Sequence, residues 1–274
     1  MDKNELYQQQ LYYIFSRPES DPPWYHFWVP RKEEDIFGED PLVTFEFIER
    51  LCRQAQSDLA PYSDDQVAIG LQYIFCSHLV TGFKRADVPY IRREQALLGL
   101  FGLFRDVFNP RCWVQTTEDA KASSMNLNSV CYIFWEESDL STWVDLSIIK
   151  DTIMLNHLEK MIQTGKCSGL SAEAIIRMRD NYLSSNIRSM TEEEIAVQIQ
   201  HQYATLSQET IGYYKAIFSV MEQCLSLDNP VCVSSGWCGL NNIHPCLSGI
   251  AMPIIEQYLE KNHAALVIPT PFST

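Results

Sequence analysis

Apolar residues recur at steps of three and four along most of this 274-residue chain, with polar or charged residues filling the intervals. Leu42, Phe45, Ile48, Leu51, Cys52, Ala55 and Leu59 make one such stripe, the spacing of a helix with a single buried face. Asp40 fits the N-cap of that helix. Pro41 fits its first position, where a missing N–H costs nothing. Ser63 and Gln66 have the spacing of a capping box ahead of Val67, Leu71, Ile74 and Phe75. Thr81-Gly82 breaks this second helix. Pro89 opens a third, which runs through Ile91 and Leu97–Phe104 to Phe108, where Asn109-Pro110 is read as the stop.

The period returns at Trp143 and continues through Leu146, Ile149, Ile153, Leu158 and Ile162 to Gly165. Ser171 to Leu183, a segment capped by Thr191 and Glu194, and Gln208 to Leu227 follow in the same pattern. Between these blocks, Cys112 to Glu137 is ambiguous. Its "SVCYIFWEE" is β-branched and aromatic enough for a strand, but no comparable run offers it a partner. The pattern predicts at least eight helical segments and an all-α fold of stacked antiparallel hairpins, either a solenoid or an irregular bundle. The chain reads as a single helical domain over 1–274, with sub-lobes 1–110 and 142–274 joined by an irregular segment 111–141.

A short pattern appears three times: "IGLQYI" (Ile69–Ile74), "LGLFGL" (Leu98–Leu103) and "CGLNNI" (Cys238–Ile243). A glycine placed this way lets a neighbouring helix come close while the following Leu and Ile point into the core. Around the third copy, Tyr213 to Leu227 reads as a helix, "LDNP" as a tight turn, and "VCVSSGWCGLNNI" as a second helix starting at Pro230. This unit resembles the helix–turn–helix of a HEAT-type repeat, with Asp40–Ala60 and Ser63–Ser77 as a second compatible hairpin. Cys232 and Val233 stand where such repeats usually carry basic residues. The resemblance implies hairpins that stack into a curved array and present a surface to another protein.

Composition narrows the function classes. The formal charge is −14, from 35 acidic and 21 basic residues, which repels nucleic-acid phosphates and anionic lipid and favours a basic protein partner. The longest purely apolar run, Leu97 to Phe104, falls far short of the roughly 20 residues of a membrane span. The opening Met-Asp-Lys-Asn-Glu lacks the basic region and apolar stretch of a secretory signal. Nine cysteines, an odd number scattered through apolar segments, suit small buried side chains in a reducing cytoplasm better than a disulfide framework.

Chemistry, if present, belongs in "SLDNPVCVSSGWCGLNNIHPC" (Ser226–Cys246), which gathers Cys232, Cys238, His244 and Cys246. A structural zinc site uses close pairs of soft ligands, and no such pairs face each other here. Cys232 and Cys238 lie six residues apart, about 600° of rotation at ~100° per residue, which sends them to different sides of one helix. A nucleophilic Cys238 would need His244 or His201 as its base, and Cys246 would gain from a following helix start. Packing is the simpler reading of all three. Only Glu260 and His263 match a di-iron Glu-x-x-His spacing, and "GKCSG" (Gly165–Gly169) lacks the spacing of a phosphate loop.

The aromatic, proline-rich "RPESDPPWYHFWVP" (Arg17–Pro30) reads as an extended arm laid over helices, with Trp24, Tyr25 and Trp28 as the alternative partner-binding residues. The expectation is therefore a cytoplasmic, non-enzymatic protein without cofactor, catalytic residue or resident metal, which binds a basic protein as an inhibitor or immunity-type protein does. Two alternatives stay open: a metal- or thiol-dependent enzyme using Cys238, His244 and Cys246, and a self-associating subunit docking through "ALVIPTPF" (Ala265–Phe272).

Overall fold

The computed structural model describes residues 2–16, 36–38, 40–76, 79–85, 87–113, 126–138, 140, 147–165, 171–185, 189–243 and 247–262. All regular structure among them is helical, so the fold is all-α. The aromatic arm with Trp24, Tyr25 and Trp28, and the C-terminal Ala265–Phe272, lie outside the described residues. Among the described residues, no helix is long and apolar enough to cross a membrane.

The chain divides into two compact units. The first combines Met1–Trp143, Gln208–Ile243 and Gly249–Thr274; the second combines Val144–Ser207 and His244–Ser248. In the first unit, α1 (Lys3–Phe15), α2 (Pro41–Leu59) and α3 (Asp64–Cys76) begin where the polar caps place them. Asp40 Oδ1 accepts the Leu42 N–H at 2.9 Å. Ser63 and Gln66 close both arms of their box at 3.1 and 3.2 Å. The Thr81-Gly82 break is a turn of 3₁₀ helix, Leu79–Lys84, packed on α2.

After Pro89 the helix runs further than the sequence pattern suggested. α4 (Tyr90–Gly99) and α5 (Phe101–Leu103) lead into a π-helical turn, Phe104–Phe108, and then α6 (Asn109–Arg111). Pro110 has no N–H for the carbonyl one turn back, and the Asn109 N–H bonds Phe104 O in the wider π spacing. The helix thereby passes through its proline and ends at Arg111. Of the ambiguous Cys112–Glu137, residues 114–125 lie outside the described residues, and its "SVCYIFWEE" belongs to α7 (Leu127–Glu137), capped by Asn126, whose Oδ1 accepts the Ser129 N–H at 2.9 Å.

α8 (Ser147–Thr164), α9 (Ala172–Ser184) and α10 (Glu192–Thr205) form the second unit. α11 (Gln208–Cys224), α12 (Pro230–Ile243) and α13 (Ser248–Asn262) complete the helices. Two of these elements cross the lobes read from the sequence. α12 packs along α7, and α11 packs on both α4 and α12, so residues beyond 208 help to build the first unit.

Aromatic rings fill the first unit's core. Phe104 stacks on Trp135 at 5.7 Å and meets Phe134 edge-on at 5.2 Å, while Phe75 lies 4.8 Å from Phe134. Each fully buried ring of this size contributes roughly 1.5–3 kcal/mol. Arg93, almost fully buried, ties the start of α4 to the start of α11. It donates to Val88 O at 3.0 Å and Phe83 O at 3.4 Å and pairs with Glu209. The second unit is smaller, centred on Leu158, Met161 and Ile175 with Ile162 and Tyr182 around them. Asn156 of α8 fastens the entry to α10 through hydrogen bonds with the Met190 backbone.

Candidate functional site

The first unit concentrates its sulfur along the seam where α7 meets α12. Both helices carry cysteine on the contacting face, and Cys131 Sγ lies 3.9 Å from Cys232 Sγ, with both residues fully buried. Cys112, just beyond α6, hydrogen-bonds Cys131 and also reaches Leu127 O at 3.8 Å. Asn229 fixes this junction. Its Oδ1 caps Val231 at 2.9 Å, while its Nδ2 donates to Asn109 O at 3.1 Å and Cys112 O at 2.7 Å. The turn before α12 therefore also holds the end of α6.

One helical turn further along, Gly239 lies under the Trp135 indole, where a Cβ would stand 2.7 Å from Cγ. The glycine of "CGLNNI" makes the close approach its pattern implied, as does Gly70 against Phe15. In "LGLFGL" the approach belongs to Gly102, which meets Cys52 O, rather than to Gly99. Trp135 Nε1 of this contact and Ser235 Oγ, one turn earlier on α12, are buried without a hydrogen-bond partner among the described residues.

These surroundings oppose thiol chemistry at neutral pH. Burial, reinforced by the neighbouring Cys112 and Cys232 thiols, pushes Cys131 well above the usual thiol range. Burial raises Cys224 and carries Cys52 up to about 12. Cys238 differs in being only half-buried. Burial raises its pKa too, although the hydrogen bond with Tyr132 pulls it down. That same bond, followed by burial, pushes the Tyr132 phenol up to about 12. A thiol kept protonated is a poor nucleophile and a poor metal ligand.

The predicted residues part company in the fold. Cys232 faces Cys131 in the core, whereas Cys238 sits at the seam's edge beside Tyr132, as the rotation between them required. His201 is exposed on α10 of the second unit, and Glu260 is exposed on α13. His244, Cys246 and His263 lie outside the described residues. Among the described residues, no group of three or more His, Cys, Asp or Glu is arranged to hold a metal. Sequence reasoning missed Cys131 as the neighbour of Cys232, and Cys112 as the neighbour of Cys131. The available signal was the Cys131-to-Trp135 step of four within "SVCYIFWEE", a helical spacing.

A second surface lies on the smaller unit. No described side chain of α10 is fully buried; Ile195, Ile199 and Tyr203 are half-covered, and Val197 is 65% exposed. α9 exposes Ile176, Met178 and Leu183. Three glutamates open α10, Thr191 and Glu194 close a capping box there, and the helix contains no lysine or arginine. Comparison with protein-family models, curated proteins and solved structures finds no match for this chain.

Proposed function

We propose that this protein acts in the cytoplasm by binding another protein, and that its partner is basic. The observation that carries the reading is the charge, −14 over 274 residues, together with where the positive residues go. Arg85 pairs with Asp40 and Asp87, Arg92 with Glu46 and Glu49, Arg111 with Asp64, and Arg179 with Asp180. With these arginines already engaged by carboxylates, the acidic excess dominates the outer field. An inhibitor or immunity-type role, in which carboxylates cover a basic active surface, fits that field. The second unit supplies the apolar contacts such a complex needs: Ile176, Met178, Leu183 and Val197 lie exposed, with the glutamates opening α10 nearby in sequence. Buried, protonated thiols weigh against the alternative of a thiol-dependent enzyme.

The test begins by capturing partners from the native source, then repeats binding with the purified partner. Association should slow steeply between roughly 0.05 and 0.5 M salt, because the screening length shortens about threefold over that range. Val197→Ser and Ile176→Ser should raise the dissociation rate without altering the helical content. A salt-independent association rate, or an acidic purified partner, contradicts the proposal.

A further inference from the structure

We infer that Cys131 and Cys232 form a latent disulfide, closed by exchange with a low-molecular-weight disulfide that enters through Cys112. This inference is independent of the binding proposal. Its basis is the seam's geometry: Cys131 Sγ and Cys232 Sγ stand 3.9 Å apart on two helices packed along their length, and Cys112 hydrogen-bonds Cys131 and reaches Leu127 O, one turn before it on α7, at 3.8 Å. Cys112 is also the member nearest solvent. It is 6% exposed and adjoins Trp113, which is 40% exposed, whereas Cys131 and Cys232 are both 0% exposed.

The chemistry is a sequence of exchanges. The Cys112 thiolate attacks one sulfur of a disulfide RSSR, forms a Cys112–SR mixed disulfide and releases the first RSH after protonation. The Cys131 thiolate attacks Cys112 Sγ and expels the second RSH. Cys232 then attacks Cys131 Sγ, forming the Cys131–Cys232 bond and returning Cys112 to a thiol. Two protein thiols are oxidised by two electrons while RSSR is reduced to two RSH, and each proton leaves with the displaced thiol. Burial keeps Cys131 protonated, so exchange is slow and the pair stays reduced until the oxidised disulfide accumulates.

The bond would tie α7 to α12 and close a loop containing Val144–Ser207, the main segment of the second unit. A closed loop restricts the unfolded chain, so the oxidised protein should melt at a higher temperature than the reduced one.

The full-length reduced protein is incubated with excess oxidised glutathione, alkylated, digested and mapped by fragment ions. The expected result is loss of two alkylatable thiols, a Cys131–Cys232 cross-linked peptide and a raised Tm, all reversed by dithiothreitol. Cys112→Ser should still form the same cross-link, roughly tenfold more slowly, because the entry thiol is gone. Wild-type mapping keeps the test decisive if a seam variant folds poorly. Alkylation of both Cys131 and Cys232 after prolonged oxidation would overturn the inference, as would pairing of either with another cysteine or an unchanged rate in Cys112→Ser.

Discussion

Replacing Gly239 by alanine puts a methyl group into the tightest part of the α7–α12 seam. The new Cβ would stand 2.7 Å from Cγ and Cδ1 of Trp135 and 2.8 Å from Cε of Met221. Met221 ends in a flexible methyl that can turn away. Trp135 has no such freedom, because its indole is stacked on Phe104 at 5.7 Å and set edge-on to Phe134 at 5.0 Å. Overpacking of this kind costs about 1–3 kcal/mol, and the fixed indole places this site near the top of that range. Alanine recovers about 1 kcal/mol of helix propensity over glycine. The net loss is therefore about 2 kcal/mol. With an m-value of about 2 kcal/mol/M, the urea midpoint followed by tryptophan fluorescence should fall by roughly 1 M. Gly249 on α13 is the internal control, since a Cβ there meets nothing within 4 Å. Gly249→Ala, with the propensity gain and no clash, should match the parent or exceed it by up to about 1 kcal/mol. Equal stability of the two variants would refute the close packing of α12 on α7.

Three further expectations rest on other contacts. Ser235→Ala removes a buried hydroxyl that has no partner among the described residues and should raise stability by about 1 kcal/mol in the same urea assay; a loss would show that the hydroxyl is bonded. Arg93→Met leaves the Val88 and Phe83 carbonyls without their donor and Glu209 without its cation, so it should cost about 3 kcal/mol, read from the same midpoint. Burial raises the folded-state pKa of Cys52 to about 12, above the unfolded thiol's value of about 8.5. The stabilisation from keeping this thiol neutral is thus complete below that unfolded value and lost as the pH rises towards the folded one. Urea midpoints from neutral to strongly alkaline pH should decline, and more gently in Cys52→Ala; parallel curves would contradict that assignment.

The local signals in the sequence carried well where a side chain acts on its own backbone. Asp40, Ser63 with Gln66, and Thr191 with Glu194 each cap the helix they introduce, because a capping bond spans only two or three residues. The helix from Pro230 and the approach at Gly239 were legible for the same reason. Long-range pairing was not. Cys131 and Cys232 meet across 101 positions, and nothing in either heptapeptide around them names the other. α7 stayed ambiguous because β-branched and aromatic residues suit a strand by local preference; burial against α3 and α12 settles the helix. Asn109-Pro110 looked like a stop because an α-helix has no donor to replace at proline, whereas the preceding π turn changes the hydrogen-bond spacing.

The distinction between space-filling and reactive thiols is decided most directly by residue-resolved alkylation of the native, reduced chain. Cys131, Cys224 and Cys232 are buried and should label only through unfolding, at least about a thousandfold more slowly than in urea. Cys238, half-buried beside Tyr132, should label faster than these three. If Cys131 or Cys232 instead labels at the rate of an unfolded thiol, the seam is open to solvent and its sulfurs are available for chemistry, contrary to the packed core described for α7 and α12.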